Sequence, residues 1–269
     1  MAHHGQVVRT EWIAPGMIRV VLGGNGLADF ATGPHTDSYV KLIFPQEGVT
    51  YPEPFDLAAA REALPRDQWP RTRTYTVRRW DPDTRELWID FVVHGDSGIA
   101  GPWAARARPG DVLRFAGPGG AYAPDPTADW HLLAGDESAW PAIAAAVEAL
   151  PAGARATVVV EVGGPADRQV VSTAGDVDLV WLHRAGRPRG RAVVEAVGKL
   201  DFPAGVVQVF VHGEATMVKE LRGHLRLDRG VPRERMSISG YWRLGADEDG
   251  WQSSKREWNQ QVEQEQERE

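Results

Sequence analysis

Among the residues of this chain, Arg73-Thr74-Tyr75-Thr76 is the combination best suited to holding a large anionic ligand with a flat ring. Side chains alternate along a strand, so Arg73 and Tyr75 would share one face and Thr74 and Thr76 the other. A guanidinium pairs with a pyrophosphate, a phenol ring packs on a flat ring or its alkyl tail, and a hydroxyl hydrogen-bonds a ring edge. Thr and Tyr are also ordinary β-formers, and a half-exposed barrel strand would account for the same four residues. The following run, Val92-Val93-His94-Gly95-Asp96-Ser97-Gly98-Ile99-Ala100-Gly101-Pro102-Trp103, is a glycine-rich loop opening into a short helix. Such a loop presents unpaired N–H groups to phosphate, although a plain loop with a structural His94 fits it too. Phe115-Ala116-Gly117-Pro118-Gly119-Gly120 is either a second close backbone approach or a tight turn.

The elements that must position these residues change character along the chain. Up to about Ala123, short alternating apolar runs are separated by Gly, Pro and Asp. They predict strands at Val7 to Ile13, Met17 to Leu22, Tyr39 to Phe44, Arg73 to Arg79, Glu86 to His94 and Asp111 to Ala116, hence a six-stranded antiparallel β-barrel. Turn chemistry stands at Asp81-Pro82-Asp83 and Arg108-Pro109-Gly110-Asp111, and a short helix is expected from near Gly101 to before Pro109. On the Tyr39 to Phe44 strand, Val40, Leu42 and Phe44 claim the core face and leave Lys41 on the other; an ordinary solvated lysine would look the same.

After the connector Ala123-Pro124-Asp125-Pro126-Thr127 the rhythm becomes strand then helix. Trp130 to Ala134 is an apolar strand, Gly135-Asp136-Glu137-Ser138 a turn, and Ala139 to Leu150 a helix. Strands at Thr157 to Val162, Leu179 to Leu182 and Val206 to His212 follow, with helices around Arg191 to Gly198 and Glu214 to Leu227. This alternation implies a parallel-sheet α/β domain, whose ligands bind beyond the carboxyl ends of the strands. Three segments are therefore expected: a barrel domain over 1–127, an α/β domain over 128–246 and an acidic helical extension over 247–269. Trp251, Trp258 and Val262 recur at helical spacing in the last segment, and a frayed acidic tail is the alternative.

Composition removes several classes of function. The chain has no cysteine, which excludes disulfides, a thiol nucleophile and Cys-ligated zinc or iron–sulfur centres, so redox chemistry would need an organic cofactor. Of the net charge of -7, residues 247–269 supply -5 through eight acidic and three basic side chains. The nearly balanced remainder has no dense basic face, and a nucleic-acid partner is not expected. No run reaches the roughly 18 to 20 apolar residues of a membrane span, and Met1-Ala2-His3-His4-Gly5 lacks a basic and an apolar leader region. A cytoplasmic protein with no membrane partner is expected.

Taken together, these residues resemble the siderophore-interacting proteins, FAD-binding ferric-siderophore reductases built on the ferredoxin-reductase plan. The resemblance spans nearly the whole chain. It rests on Tyr39-Val40-Lys41-Leu42, Arg73-Thr74-Tyr75-Thr76, His94-Gly95 with Gly98, Ala100 and Trp103, Gly135-Asp136-Glu137-Ser138-Ala139 before Pro141-Ala142-Ile143, His212-Gly213-Glu214, and Gly240-Tyr241-Trp242-Arg243. It implies an FAD-binding barrel and an NAD(P)H-binding α/β domain. FAD would be held by Arg73, Thr74, Tyr75, Thr76, Val93, His94, Gly95, Gly98, Ala100, Gly101, Trp103 and Trp242. Gly135, Asp136, Glu137, Ser138 and Tyr241 would meet the nicotinamide nucleotide, and Lys41 and Arg243 would attract an anionic ferric siderophore. For Tyr241 and Trp242, packing in the core at the last strand is the competing reading.

The donor is expected to be NADH, NADPH or a reduced ferredoxin. No catalytic acid, nucleophile or resident metal is expected, because a flavin carries the chemistry. The chain departs from the family at Ile99, commonly proline, and at Gly119, often basic, and it lacks G-x-G-x-x-G after Trp130 to Ala134. A flavin reductase with another acceptor and a non-enzymatic siderophore-binding module are the alternatives.

Overall fold

The computed structural model describes residues 2–246 and 248–267. It divides into two compact units, Met1–Gly120 and Ala121–Glu269.

The first unit is an antiparallel sheet of seven strands. They are β1 (His3–Ala14), β2 (Met17–Gly23), β3 (Tyr39–Phe44), β4 (Arg71–Thr76), β5 (Arg79–Asp81), β6 (Glu86–Val92) and β7 (Val112–Gly119), in the order β4-β3-β7-β1-β2-β6-β5. Val40, Leu42, Phe44, Leu87, Ile89, Phe91, Leu113 and Phe115 are buried in one core, because alternate residues of each strand face inward. Each such aliphatic side chain is worth about 1.5–3 kcal/mol of burial.

The expected strand Arg73 to Arg79 divides in two, which accounts for seven strands where six were expected. Val77 N–H donates to Ser38 O (2.7 Å), whereas Arg78 N–H donates to Trp88 O (2.9 Å). The chain thus leaves β3 as a partner and joins β6 within one residue, and the sheet curls around its core. Helix α1 (Leu57–Ala63) was not anticipated. It is short and starts where Asp56 accepts from Ala59 N–H (2.9 Å), an N-cap pattern within a proline-rich stretch. Helix α2 (Ala100–Arg106) falls where the loop pattern placed it.

The second unit is a five-stranded parallel sheet, β8 (Trp130–Asp136), β9 (Arg155–Val162), β10 (Asp176–His183), β11 (Val207–Glu214) and β12 (Met236–Trp242), in the order β10-β9-β8-β11-β12. β8 is central and buried along its whole length, as a strand covered on both faces must be. Helices α4 (Arg191–Gly198) and α5 (Ala215–Gly223) cover one face through Val193, Val197, Met217, Val218 and Leu221. On the other, α3 (Trp140–Glu148) places Trp140 against Trp181 at 4.6 Å. Helix α6 (Glu248–Glu267) buries Trp251 and Val262, and Glu263 pairs with Arg222 (3.1 Å) and Arg233 (2.8 Å). Among the described residues no helix is long and apolar enough to cross a membrane.

His212 on β11 gives this unit an acid-sensitive point. Its ring lies 4.0 Å from Phe210 and 4.8 Å from Tyr241, and its Nε2 meets Ser237 Oγ at 3.0 Å. Burial, and secondarily the charge of Lys255, pushes its pKa down to about 3. The folded state therefore binds this proton less readily than the unfolded chain. The stabilisation is complete above about pH 6.5 and is lost as pH falls toward 3. Going from pH 7 to pH 5 should cost about 2 kcal/mol through this side chain alone. Urea unfolding at the two pH values should show a His212→Gln variant losing less stability than the parent by about that amount.

Candidate functional site

In the first unit, β4 presents the two faces expected of it. Leu42 pairs with Arg73 and Val40 with Tyr75 across β3 and β4, so Arg73 and Tyr75 point to the core side. Arg73 is only 7% exposed, and its Nη1 donates to Thr72 O at 2.8 Å. Tyr75 stacks on Phe91 at 4.5 Å, and Trp103 of α2 lies 5.8 Å from Phe91 and 5.9 Å from Phe44. Tyr75, Phe91, Trp103 and Phe44 thus form one aromatic wall. Phe91 is fully buried and Phe44 nearly so, and these two rings back Tyr75 and Trp103 from the core side.

The loop between β6 and α2 lies at this wall. Gly95 and Gly98 adopt φ of +58° and +81°, and a Cβ on either would meet nothing within 4 Å, so open space adjoins the loop backbone. At Gly101 the opposite holds, for a Cβ there would sit 2.9 Å from Val92 O, which explains how closely α2 approaches β6. Val93 packs against the core, Ala100 is buried and His94 is exposed. A buried guanidinium, an aromatic wall and a glycine loop bordering open space form a donor set that fits a flavin dinucleotide.

The outer face of β4 meets that of β3. Thr74 is paired with Lys41 and Thr76 with Tyr39. Lys41 is exposed and forms no ion pair among the described residues. A Cβ on Gly119 would lie 2.5 Å from Tyr39 Cζ, so the tyrosine ring fills the place a side chain at 119 would take.

In the second unit the carboxyl ends of the parallel strands are tied together by Asp136, the last residue of β8. Its carboxylate is 1% exposed and accepts four hydrogen bonds: from Ser138 N–H (2.9 Å), Ser138 Oγ (2.5 Å), Glu214 N–H (2.9 Å) and Trp242 Nε1 (2.9 Å). Burial and the neighbouring Glu137 charge push its pKa up to about 6. Gly213 makes room for this carboxylate. It has φ +134°, and a Cβ there would come within 2.7 Å of Asp136 Oδ2.

Glu137 lies in a second knot. Arg184 Nη2 donates to both its oxygens (2.7 and 2.6 Å) and Arg189 Nη1 to one (2.8 Å), while Arg184 Nε reaches Glu161 at 3.2 Å. Burial alone would raise Glu137, but Arg184 and Arg189 hold it below the usual carboxylate range. The side chains of Asp136, Glu137 and Ser138 thus have internal partners that fix the shape of the sheet edge. Helix α3 starts behind Ala139, with no side-chain cap and with proline in its first turn. Gly135 is buried, and a Cβ on it would lie 2.5 Å from His212 O, so the glycine serves close packing of β8 and β11.

Tyr241 and Trp242 end β12. Tyr241 lies against His212, and Trp242 is bound to Asp136 with Arg189 5.4 Å above its ring. Both are half-buried. Leu244 N–H donates to Glu214 Oε1 (3.2 Å), so the exposed Arg243 stands between two anchored residues. These links join residues up to about 106 positions apart in sequence and have no local signal.

An antiparallel sheet followed by a parallel nucleotide-type sheet is the ferredoxin-reductase-like architecture. The ferredoxin reductase of carbazole 1,9a-dioxygenase shares this fold, with a TM-score of 0.62, 14% identity and coverage of 91% of this chain and 68% of that one. Residues 6–122 match the family described as siderophore-interacting FAD-binding domain, and residues 128–245 match that described as siderophore-interacting protein. The chain belongs to the siderophore-interacting protein family.

Relatives include the uncharacterized protein Rv2895c of Mycobacterium tuberculosis, 46% identical over 95% of both chains. Ferric vibriobactin reductase ViuB of Vibrio cholerae is 32% identical, over 91% of this chain and 90% of ViuB. The NADPH-dependent ferric-chelate reductase of Escherichia coli is 31% identical, over 88% of this chain and 91% of that protein. A siderophore utilization protein from T. fusca superposes with a TM-score of 0.80 at 37% identity, covering 92% of this chain and 94% of that one.

Proposed function

We propose that the protein is a cytoplasmic ferric-siderophore reductase, which takes electrons from NADH or NADPH through FAD and reduces siderophore-bound Fe(III) to Fe(II). Ferric iron is a hard, highly charged acid held tightly by oxygen donors, and reduction weakens that hold, so reduction amounts to release. Bound FAD supplies the conversion between a two-electron hydride donor and a one-electron iron acceptor.

This chain's residues bind and orient. Arg73 pairs with the pyrophosphate, Tyr75 and Trp103 pack against the cofactor, and the backbone of Val93 to Gly101, including His94, Gly95, Gly98 and Ala100, lines its phosphates. Thr74 and Thr76 hydrogen-bond the flavin edge. In the second unit, Asp136, Glu137 and Ser138 hold the carboxyl edge of the sheet in shape; Gly135 and Tyr241 would help to hold the nicotinamide nucleotide there, and Trp242 the flavin. Lys41 and Arg243 attract the anionic ferric complex by long-range Coulomb steering.

The observation that carries this reading is the two-sidedness of β4. A buried cation and a ring face one way, while Thr74, beside the unpaired Lys41, faces the other. ViuB and the E. coli relative, each named as a ferric reductase, support the same reaction.

The test follows ferrous iron with a trapping dye, under argon, for anionic and neutral ferric chelates. Lys41→Ala should lower kcat/KM for the anionic chelate about tenfold at low salt and much less at 0.5 M salt, with the neutral chelate unaffected. If no ferric chelate yields ferrous iron, the reading fails.

A further inference from the structure

The segment running from the end of β10 into the start of α4 carries four arginines in eight positions, and each is paired with acid. Arg184 and Arg189 bind Glu137, Arg187 binds Glu195 (2.6 Å), and Arg191 binds Glu195 (3.1 Å). Arg168 differs from all of them. It follows the turn that leaves β9, it is exposed, and no carboxylate pairs with it among the described residues. Its neighbour Asp167 turns Oδ2 to Gly164 N–H (2.9 Å). Among the described residues the Arg168 side chain meets His183, the last residue of β10, whose Nε2 accepts from Arg168 Nε at 3.0 Å. An arginine stays protonated and has no acceptor, so His183 is the acceptor in this bond, and the two Nη groups of Arg168 remain available as donors.

In parallel sheets of this kind a dinucleotide lies across the carboxyl ends of the strands. A carboxylate near the end of the second strand selects the free ribose 2′-hydroxyl of NADH, and an arginine there accommodates the 2′-phosphate of NADPH. The acid at the end of β9 is Glu161. It is 0% exposed, and its Oε1 is taken by Gly190 N–H (3.0 Å) and Arg184 Nε (3.2 Å), so it is turned away from any ribose. What this edge offers to solvent is the Arg168 guanidinium with the imidazole of His183 beside it.

We infer that Arg168, braced by His183, is the binding site for the 2′-phosphate of NADPH and makes NADPH the preferred donor over NADH. The inference rests on the reading of the protein as a nicotinamide-dependent reductase. The fork of the guanidinium gives the phosphate paired charge-assisted hydrogen bonds, and His183 fixes its plane through Nε. Loss of such bonds to a charged group corresponds to about 10- to 100-fold in affinity.

The test uses the FAD-loaded protein and reads binding and turnover separately. By calorimetry, adenosine 2′,5′-bisphosphate should bind at least about tenfold more tightly than 5′-AMP, and Arg168→Ala should erase the difference while Arg168→Lys keeps part of it. In turnover, Arg168→Ala should lower kcat/KM for NADPH about 30-fold and leave that for NADH within about twofold. Equal binding of the two adenosine probes to the parent protein overturns the inference, as does a variant with an unchanged NADPH to NADH ratio. Failure of the underlying reading has a different signature, namely that neither nucleotide bleaches the flavin and reduced protein passes no electrons to a ferric chelate.

Discussion

Replacing Arg73 with alanine is expected to weaken FAD binding about 100-fold, the equivalent of about 3 kcal/mol for charge-assisted bonds to a pyrophosphate. Arg73 is nearly enclosed, so it delivers its charge in a setting where water competes poorly. Titration of the apoprotein with FAD, followed by quenching of flavin fluorescence, gives the affinity. Because the guanidinium also donates to Thr72 O, the thermal unfolding of each apoprotein is measured alongside. Arg73→Lys, which keeps the charge but loses the fork, should fall between parent and alanine. A change below threefold in both variants would remove Arg73 from the cofactor site.

Asp136→Ala should have the largest effect on stability, lowering that of the second unit by about 4 kcal/mol. The substitution strands the N–H groups of Ser138 and Glu214 and the indole N–H of Trp242, each costing about 1–3 kcal/mol where water cannot reach. Trp242→Phe removes only one donor and should cost about 1 kcal/mol. Chemical denaturation of the three proteins measures both values. If Asp136→Ala is no worse than Trp242→Phe, the carboxylate does not bind the three strand ends together.

Strand β3 shows how much of the fold could be read directly. Val40, Leu42 and Phe44 alternate with Tyr39 and Lys41, and the expected and observed limits coincide at Tyr39 and Phe44. The two-unit plan, an antiparallel sheet and then a parallel one, was legible for the same reason, since periods of 2 and 3.6 are local properties. β4 was misread at its end because the switch of partner at Val77 and Arg78 is decided by neighbours 39 and 10 positions away. β12 alternates Met236, Ser237, Ile238 and Ser239 for only four residues before Gly240 breaks the pattern, and the strand was expected only from Tyr241 and Trp242.

The candidate site divides along the same line. The alternation of Arg73, Thr74, Tyr75 and Thr76 follows from geometry within one strand. The engagement of Asp136 with Trp242, or of Glu137 with Arg184, depends on which strands lie side by side at the carboxyl edge. The sequence marked those acids as site residues but not their hydrogen-bond donors, which carboxylates this deeply buried require. Arg184, Arg187, Arg189 and Arg191 stand close together in sequence, but their neutralisation by Glu137, Glu161 and Glu195 depends on the fold.

The most direct measurement is the visible spectrum of the FAD-loaded protein under argon, first with NADPH or NADH and then with a ferric siderophore and a ferrous-trapping dye. The account predicts flavin bands that bleach with the nucleotide and return as the ferrous complex develops, with stoichiometry of two irons per flavin. A flavin that is reduced, by nucleotide or by dithionite, and stays reduced in the presence of the ferric siderophore would contradict it.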